Sequence, residues 1–234
     1  MKSDLIKDVC WTSEEYTAGP VRGVVLSLHG LGGSGGKAAP SNEEYEFCQA
    51  GGLVVFPYYG PWSWMNGRAR RMIDDLVDAV YAQWELADSL PLVVTGWSMG
   101  GQGSLTYTRY ARRTVKACLA GCPVCDLRFH FSERPDLPTT IRHAADYPDD
   151  MEPFFRENSP LEQVAGMPNI PYLFVHGDRD KAVNKQAHSD KMVAALRARK
   201  LNVQYRELPL AGHGGPLPIS ATQQIADFVR QAME

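Results

Sequence analysis

The sequence predicts an α/β fold in which a mostly parallel central sheet is flanked by helices on both faces. Two observations predict it: short apolar runs of strand length alternate with longer segments of helical character, and this alternation continues to the end of the chain. With 234 residues, 44% of them hydrophobic, the chain can bury one good core. We therefore expect residues 1–234 to form a single domain.

Strands are predicted where several apolar residues stand in a row and a turn signal follows. In chain order these segments are 24–28, 53–56, 92–95, 114–120, 171–175 and 202–208. The first of them ends at His29-Gly30 and leads into a glycine-rich stretch, 31–36. That pattern is typical of a buried strand that feeds a loop.

Helices are predicted between these strands, at 41–50, 68–88, 102–112, 184–200 and 219–233. The first begins with a capping box at Ser41 and Glu44, and Gly51 ends it. In the second, apolar residues recur at three- and four-residue spacing, which places them on one face. The segment 123–167 breaks the alternation and carries six prolines. We expect it to be an insertion with short helices beside the site.

The charge balance argues against polyanionic partners. The formal net charge is −3 and the isoelectric point is near 6.1, so no basic excess is available to neutralise phosphates. Charged residues interrupt the segment 1–9, and no stretch approaches the ~18 apolar residues that span a bilayer. We expect a cytoplasmic protein with no nucleic-acid or membrane partner; the oligomeric state stays open.

The five cysteines do not form the framework of a disulfide-rich protein, because their number is odd and their spacing irregular. Cys122 and Cys125 form a C-x-x-C pair, a spacing found in redox pairs and in half of a zinc site. No second such pair completes a tetrahedral ligand set. We expect reduced thiols that act as small apolar fillers, and no metal or other cofactor.

The pentapeptide Gly96-Trp97-Ser98-Met99-Gly100 is the strongest functional signal. Glycines two residues on either side of a serine allow a strand to turn sharply into a helix, with the serine exposed at the apex. The predicted strand 92–95 and helix 102–112 supply that context. Ser98 is therefore the candidate nucleophile.

A serine nucleophile needs a histidine to take its proton and a carboxylate to orient that histidine. Asp178 and Asp180 follow the strand 171–175, and His213 lies in a glycine-rich loop after the last strand. The other histidines lie at strand ends, inside the insertion or inside a predicted helix. We therefore select His213 as the base, and the residues alone leave the two aspartates open.

At these motifs the chain resembles the α/β-hydrolase superfamily, in particular small esterases of the dienelactone hydrolase and prolyl-oligopeptidase-like branch. The resemblance covers about residues 21–229. It depends on L-H-G-L-G-G from Leu28, on G-W-S-M-G, on H-G-D-R-D-K-A-V from His176 and on G-H-G around His213. It implies an α/β-hydrolase fold and a triad of Ser98, Asp180 and His213, with Asp178 as the second choice for the acid.

Two backbone amides are expected to stabilise the oxyanion of the reaction. One is that of Met99, the residue after the nucleophile. The resemblance implies that the other is that of Leu31, in the glycine-rich loop. A phosphate-binding loop is the rival interpretation, and it is weak because Ala38 follows Lys37 where a hydroxyl residue would stand.

Substrate contacts are expected from the aromatic-rich segment 58–66, which follows a predicted strand at the edge where α/β sheets bind ligands. Trp62 and Trp64 are the candidates. Large rings there form either a platform for a substrate or a hydrophobic cover over the core.

The sequence therefore predicts a serine hydrolase that cleaves a carboxylic ester of a small or carbohydrate-linked molecule through an acyl-enzyme. Hydrolysis of thioesters or short peptides would use the same three residues. A non-catalytic ligand-binding protein of the same fold is the rival from another class, and a metal-dependent hydrolase is a third possibility without an obvious ligand cluster. No cofactor is required by the expected reaction.

Overall fold

A seven-stranded sheet forms the centre of the structure, a computed structural model that describes residues 6–234. The expectation that the charged segment 1–9 does not enter a membrane concerns in part residues 1–5, which lie outside the described residues. The strands are β1 (Cys10–Thr12), β2 (Gly23–Leu28), β3 (Gly52–Pro57), β4 (Leu92–Trp97), β5 (Val115–Gly121), β6 (Tyr172–Gly177) and β7 (Val203–Leu208). Their order in the sheet is β1-β3-β2-β4-β5-β6-β7. Only the β1–β3 pair among these strands is antiparallel, which confirms the mostly parallel sheet.

The α-helices lie between and after these strands. They are α1 (Ile6–Val9), α2 (Asn42–Gln49), α3 (Gly67–Gln83), α4 (Met99–Tyr110), α5 (Leu127–His130), α6 (Leu137–Ala144), α7 (Glu152–Asn158), α8 (Lys191–Ala198) and α9 (Ile219–Ala232). The segment 123–167, expected to carry short helices, contains α5, α6 and α7. None of the helices within residues 6–234 has both the length and the apolarity that crossing a membrane requires.

Alternate residues of the strands face opposite sides, and each side is covered by helices. On one side, Val24 and Leu26 of β2 belong to the same buried cluster as Ile73 of α3. On the other side, Val25 packs in a cluster with Phe47 of α2, and α9 joins this cluster. Burial of each such side chain contributes about 1.5–3 kcal/mol. The predicted helices on both faces are therefore confirmed.

The capping box predicted for α2 is present. Ser41 Oγ accepts a hydrogen bond from Glu44 N at 3.3 Å, and Glu44 Oε2 accepts one from Ser41 N at 2.9 Å. The same buried carboxylate also accepts from Ser27 Oγ at 2.7 Å and pairs with Lys37. The cap thus ties the start of α2 to strand β2 and to the loop after it.

Two predicted helices end or begin differently from the prediction. Helix α3 stops at Gln83, not at residue 88, because Glu85 has a φ of +49° and Leu86 N–H donates back to Tyr81 O at 2.8 Å. The segment 184–200 divides into a wider turn, Gln186–Asp190, followed by α8. Neither break carries the glycine by which sequence patterns mark a helix end.

Parallel strands place their carboxyl ends at one edge of the sheet. β2, β4, β6 and β7 all end at this edge, so the loops that follow them meet there. Residues far apart in the sequence are brought together by this arrangement alone.

Helix α4 starts in backbone contact with the sheet. A Cβ atom at Gly100 would lie 2.1 Å from the carbonyl oxygen of Leu28, and one at Gly96 would lie 2.2 Å from that of Gly100. Both atoms that would be struck belong to the backbone. Glycine is therefore required at both positions for the strand-to-helix turn to close.

We predict that Gly100→Ala lowers the free energy of unfolding by about 1–3 kcal/mol or more, since the new methyl group displaces α4 from β2. Gly36→Ala is the matched control, because its Cβ would meet no atom closer than 3.9 Å. Urea denaturation of both variants checks this. Equal stability of the two variants would contradict the close-packing argument.

Candidate active site

Ser98 lies at the turn between β4 and α4. Its φ of +61° and ψ of −122° place a non-glycine residue in a strained conformation that costs on the order of 1–3 kcal/mol. Two backbone hydrogen bonds hold it there: Ser98 N–H donates to Gly121 O at 2.8 Å, and Gln102 N–H donates to Ser98 O at 3.0 Å. The predicted sharp turn is thus present, with the serine at its apex.

His213 connects Ser98 to a carboxylate. Its Nε2 lies 2.9 Å from Ser98 Oγ, and its Nδ1 lies 2.7 Å from Asp180 Oδ2. Because an ionised carboxylate only accepts, Nδ1 carries the ring proton and Nε2 is left to accept from the serine hydroxyl. The three predicted side chains therefore form one hydrogen-bonded chain.

The Asp180 carboxylate is fully buried and accepts from several donors. Ala182 N and Val183 N donate to Oδ1 at 2.8 and 3.0 Å, while His176 Nε2 lies 3.2 Å from Oδ2. Burial by itself would raise the pKa of Asp180, but the hydrogen bonds from His176, His213 and Val183 outweigh it and hold the pKa well below its usual range. The group therefore stays ionised and keeps His213 oriented.

Asp178, the second choice for the acid, has a different place. It is exposed, and its Oδ1 accepts a hydrogen bond from Leu210 N at 2.7 Å. It thus closes the turn after β7, and its carboxylate makes no hydrogen bond to His213 within residues 6–234. The structure therefore brings Asp180 and not Asp178 to His213.

The amides of Leu31 and Met99 lack hydrogen-bond partners among residues 6–234. The neighbouring amides of the glycine-rich loop are engaged, since Gly32 N–H donates to Pro61 O at 2.9 Å and Gly33 N–H to Gly30 O at 3.1 Å. These bonds hold the loop beside the serine. The two amides expected to bind an oxyanion are thus both left without an internal acceptor.

Two pockets reach Ser98 and His213. The larger has a volume of about 580 Å³ and extends between the sheet and helices α2 and α9, with Phe47, Leu119 and Ile225 in its walls. The smaller has a volume of about 340 Å³, and Leu31 lines it. Two separate cavities therefore adjoin Ser98 and His213.

The two predicted substrate-binding tryptophans are placed differently. Trp64 is buried, lines the smaller pocket and donates through Nε1 to Thr140 Oγ1 at 3.3 Å. Trp62 is partly exposed, packs edge-on against His143 at 5.5 Å between ring centroids, and lines neither pocket that reaches Ser98. Of the two, only Trp64 is brought to the site.

A second histidine–carboxylate network borders the smaller pocket. His188 Nδ1 accepts from Cys125 N and Asp126 N, both at 3.1 Å, so its Nε2 carries the proton and donates to Glu133 Oε2 at 2.8 Å. Glu133 also binds His130 Nδ1, and its Oε1 accepts from Asn184 N at 3.0 Å.

Sequence reasoning missed this network. It placed His130 only in the insertion and His188 only in a helix; the three-residue spacing of His130 and Glu133 was the one available signal. Burial by itself would raise the pKa of Glu133, but the hydrogen bonds from both histidines outweigh it and hold the pKa well below its usual range.

Two clusters of side chains within residues 6–234 have the spacing of metal ligands. His130, Glu133 and His188 approach one another closely enough to hold an ion, but His188 Nε2 carries a proton and has no lone pair to offer. In the group of Cys122, His176 and Asp180, burial raises the pKa of the Cys122 thiol to about 12. A metal bound there would have to displace the proton of that thiol, since the thiolate is the form that binds a metal.

The profile of the prolyl oligopeptidase family matches residues 66–234, a range that includes Ser98, Asp180 and His213. Comparison with curated proteins gives no sequence match.

Several solved structures share the fold. Acylaminoacyl peptidase of Pyrococcus horikoshii superposes with a TM-score of 0.75 at 15% identity, over 94% of this chain and 37% of that one. A truncated carbohydrate esterase from gut microbiota superposes with a TM-score of 0.75 at 14% identity, over 96% of this chain and 90% of that one. Esterase PE8 superposes with a TM-score of 0.65 at 16% identity, over 92% of this chain and 95% of that one. The chain spans about a third of the peptidases and nearly all of the esterases. These likenesses show the α/β-hydrolase fold.

We predict that Glu133→Gln lowers the free energy of unfolding at pH 7 by about 1–3 kcal/mol, because an amide oxygen replaces a carboxylate that satisfies three donors. The folded pKa of Glu133 lies below its unfolded value of about 4.3. Its contribution is therefore complete above that unfolded value and is lost as the pH falls toward the folded pKa.

The measurement is urea denaturation from pH 7 to about pH 3. The stability difference between wild type and Glu133→Gln should shrink as the pH falls. Glu46→Gln, on an exposed position of α2, is the control and should differ from wild type by about 0.5 kcal/mol or less throughout. A difference for Glu133→Gln that does not change with pH would show that ionisation of Glu133 is not the cause.

Proposed function

Because the chain belongs to the prolyl oligopeptidase family of α/β-hydrolases, we propose that it is a serine hydrolase that cleaves a carboxylic ester through an acyl-enzyme. The observation that carries this proposal is the chain of hydrogen bonds from Ser98 Oγ through His213 to buried Asp180, at the meeting point of two pockets. This arrangement has the geometry that activates a serine hydroxyl.

In the first half of the reaction, Ser98 Oγ attacks the ester carbonyl carbon while its proton passes to His213 Nε2. The negative oxygen that forms is stabilised by the N–H groups of Leu31 and Met99, each worth roughly 3 kcal/mol. The carbon–oxygen bond to the alcohol then breaks. His213 returns its proton to the departing oxygen, and the acyl group stays on Ser98.

In the second half, water replaces the alcohol. His213 Nε2 takes a proton from the water as it attacks the acyl carbonyl, and the bond to Ser98 breaks with return of that proton to Oγ. Asp180 stays ionised throughout and stabilises the positive charge that His213 carries at each transfer. The free acid and the free serine are the products.

An ester is favoured over a peptide by two observations. The esterases named above are matched over nearly their whole length, whereas the peptidases are matched over about a third of theirs. Apolar side chains such as Phe47, Leu119 and Ile225 line part of the larger pocket, a setting that suits the acyl group of a small molecule.

Hydrolysis of short peptides is the second candidate, and the family itself favours it. The same three residues would serve both reactions. A panel that pairs p-nitrophenyl esters with aminoacyl p-nitroanilides separates the two candidates: an ester hydrolase turns over the first group and leaves the second almost untouched.

We predict that a fluorophosphonate probe adds its mass to the wild-type protein and not to Ser98→Ala. The variant should also lose ester hydrolysis by on the order of 10⁵-fold in kcat, since no other nucleophile is activated. Intact-mass spectrometry and steady-state kinetics are the measurements. Ser132→Ala, at an exposed position in the same chain, is the control and should label like wild type. Labelling of Ser98→Ala, or none of either protein, would contradict the proposed nucleophile.

We predict that Asp180→Asn lowers kcat by on the order of 10⁴-fold, because an amide no longer selects the His213 tautomer with its proton on Nδ1. Asp178→Asn is the matched control: it changes the neighbouring acid in the same loop and should leave kcat within about threefold, since the Asp178 carboxylate accepts from Leu210 N and makes no hydrogen bond to His213 within residues 6–234. Steady-state kinetics of both variants test the assignment. A larger loss in Asp178→Asn than in Asp180→Asn would reverse it.

A further inference from the structure

The smaller pocket beside Ser98 contains two polar side chains that the proposed reaction does not use. His130 and Arg134 line its wall together with Trp64 and Val183. Both polar residues come from the segment 123–167, and neither belongs to the hydrogen-bonded chain of Ser98, His213 and Asp180. What they offer to a bound molecule follows from their own hydrogen bonds.

His130 presents a fixed hydrogen-bond acceptor. Its Nδ1 faces the Glu133 carboxylate, which only accepts, so the ring proton is on Nδ1 and Nε2 has the lone pair. Only 3% of the side chain is exposed, and burial lowers the pKa of His130, which keeps the ring neutral. Nε2 has no hydrogen-bond partner among residues 6–234. This atom is not completely buried, so a bound molecule can reach it. His130 lines the smaller pocket, so this accessible nitrogen is the polar atom that the ring has free to offer there.

Arg134 presents a hydrogen-bond donor whose charge is already compensated. Its Nε and Nη2 donate to the two oxygens of Asp136 at 3.1 and 2.7 Å. Nη1 has no partner among residues 6–234, and 34% of the side chain is exposed. The pocket wall therefore combines an uncharged acceptor with a donor that belongs to a neutral ion pair.

We propose that this pocket binds an uncharged, hydroxyl-bearing part of the substrate, of the kind found in hydroxy acids, polyols and sugars. His130 Nε2 accepts from a substrate hydroxyl, and Arg134 Nη1 donates to a hydroxyl oxygen. The assignment deepens the proposed function and rests on it, since the pocket selects a substrate only if Ser98 acts on one.

Charged groups fit this wall less well. A carboxylate offers only acceptors, so its oxygens would face the lone pair of His130, and Arg134 already gives its Nε and Nη2 donors to the carboxylate of Asp136. An ammonium group would face the guanidinium of Arg134. A hydroxyl both donates and accepts, and is the small neutral group that satisfies both wall residues.

The test uses two pairs of esters that differ by a hydroxyl in place of a methyl group. Ethyl lactate against ethyl isobutyrate tests the acyl side, and ethylene glycol monobutyrate against propyl butyrate tests the alcohol side. Ethyl hydrogen succinate supplies a carboxylate. Each kcat/KM is divided by the rate of alkaline hydrolysis of the same ester, which removes differences in intrinsic reactivity.

The wild-type protein should prefer the hydroxylated ester of at least one pair by on the order of tenfold or more, because a site built for a hydroxyl rejects the analogue that lacks it. His130→Phe and Arg134→Met should each lower this ratio toward one. The ratio compares two substrates on the same enzyme, so a smaller fraction of folded protein does not change it. Arg134→Met alters a partly exposed side chain and provides a second test where His130→Phe fails to fold.

Arg128→Gln is the matched control. Arg128 lies in the same segment, pairs with Glu152 and lines neither pocket, so this variant should keep both the activity and the ratio of wild type. Three outcomes would overturn the assignment. The first is an equal corrected rate for the two esters of both pairs, and the second is a higher corrected rate for ethyl hydrogen succinate than for the hydroxylated esters. The third is a preference for the hydroxylated ester that remains in both His130→Phe and Arg134→Met. No hydrolysis of any ester together with no fluorophosphonate labelling of Ser98 would instead overturn the proposed function itself.

Discussion

The turn from β4 into α4 is the constraint on which the site depends. Ser98 has a backbone conformation that costs free energy, and the turn closes only because Gly96 and Gly100 leave no side chain between the helix and the sheet. The cost is offset by the packing of α4 and by the hydrogen bond from Ser98 N to Gly121 O. As a result, the Ser98 hydroxyl lies at the edge of the sheet where the strands end, within reach of the neighbouring loops.

Parallel strands supply those loops. His213 and Ser98 are 115 residues apart in sequence, yet His213 Nε2 lies 2.9 Å from Ser98 Oγ. His213 and Asp180 are 33 residues apart, yet His213 Nδ1 lies 2.7 Å from Asp180 Oδ2. No local interaction produces these contacts. They exist because β4, β6 and β7 run in the same direction and end at the same edge, each followed by one of the three residues.

Two imidazole rings at the site are each oriented by a hydrogen bond from Nδ1 to a carboxylate. Asp180 orients His213, and Glu133 orients His130; in each case a carboxylate saturated with hydrogen bonds remains ionised and sets which ring nitrogen carries the proton. The consequence differs because of what each free nitrogen faces. Nε2 of His213 meets the Ser98 hydroxyl, whereas Nε2 of His130 has no partner among residues 6–234 in a ring that lines the smaller pocket.

The sequence by itself determined the alternation of strands and helices, the capping box of α2, the sharp turn at Ser98 and the order of the residues proposed as nucleophile, acid and base. These are local patterns, because apolar spacing, caps and glycines act within a few residues of chain. Only the tertiary structure brought Asp180 rather than Asp178 to His213, placed Trp64 but not Trp62 at the smaller pocket, and ended α3 at Gln83 through a left-handed residue that is not glycine. It alone brought His188 to Glu133 across 55 residues. The physical reason is the same throughout: each of these outcomes depends on which groups meet after the sheet has formed, and no spacing along the chain records that.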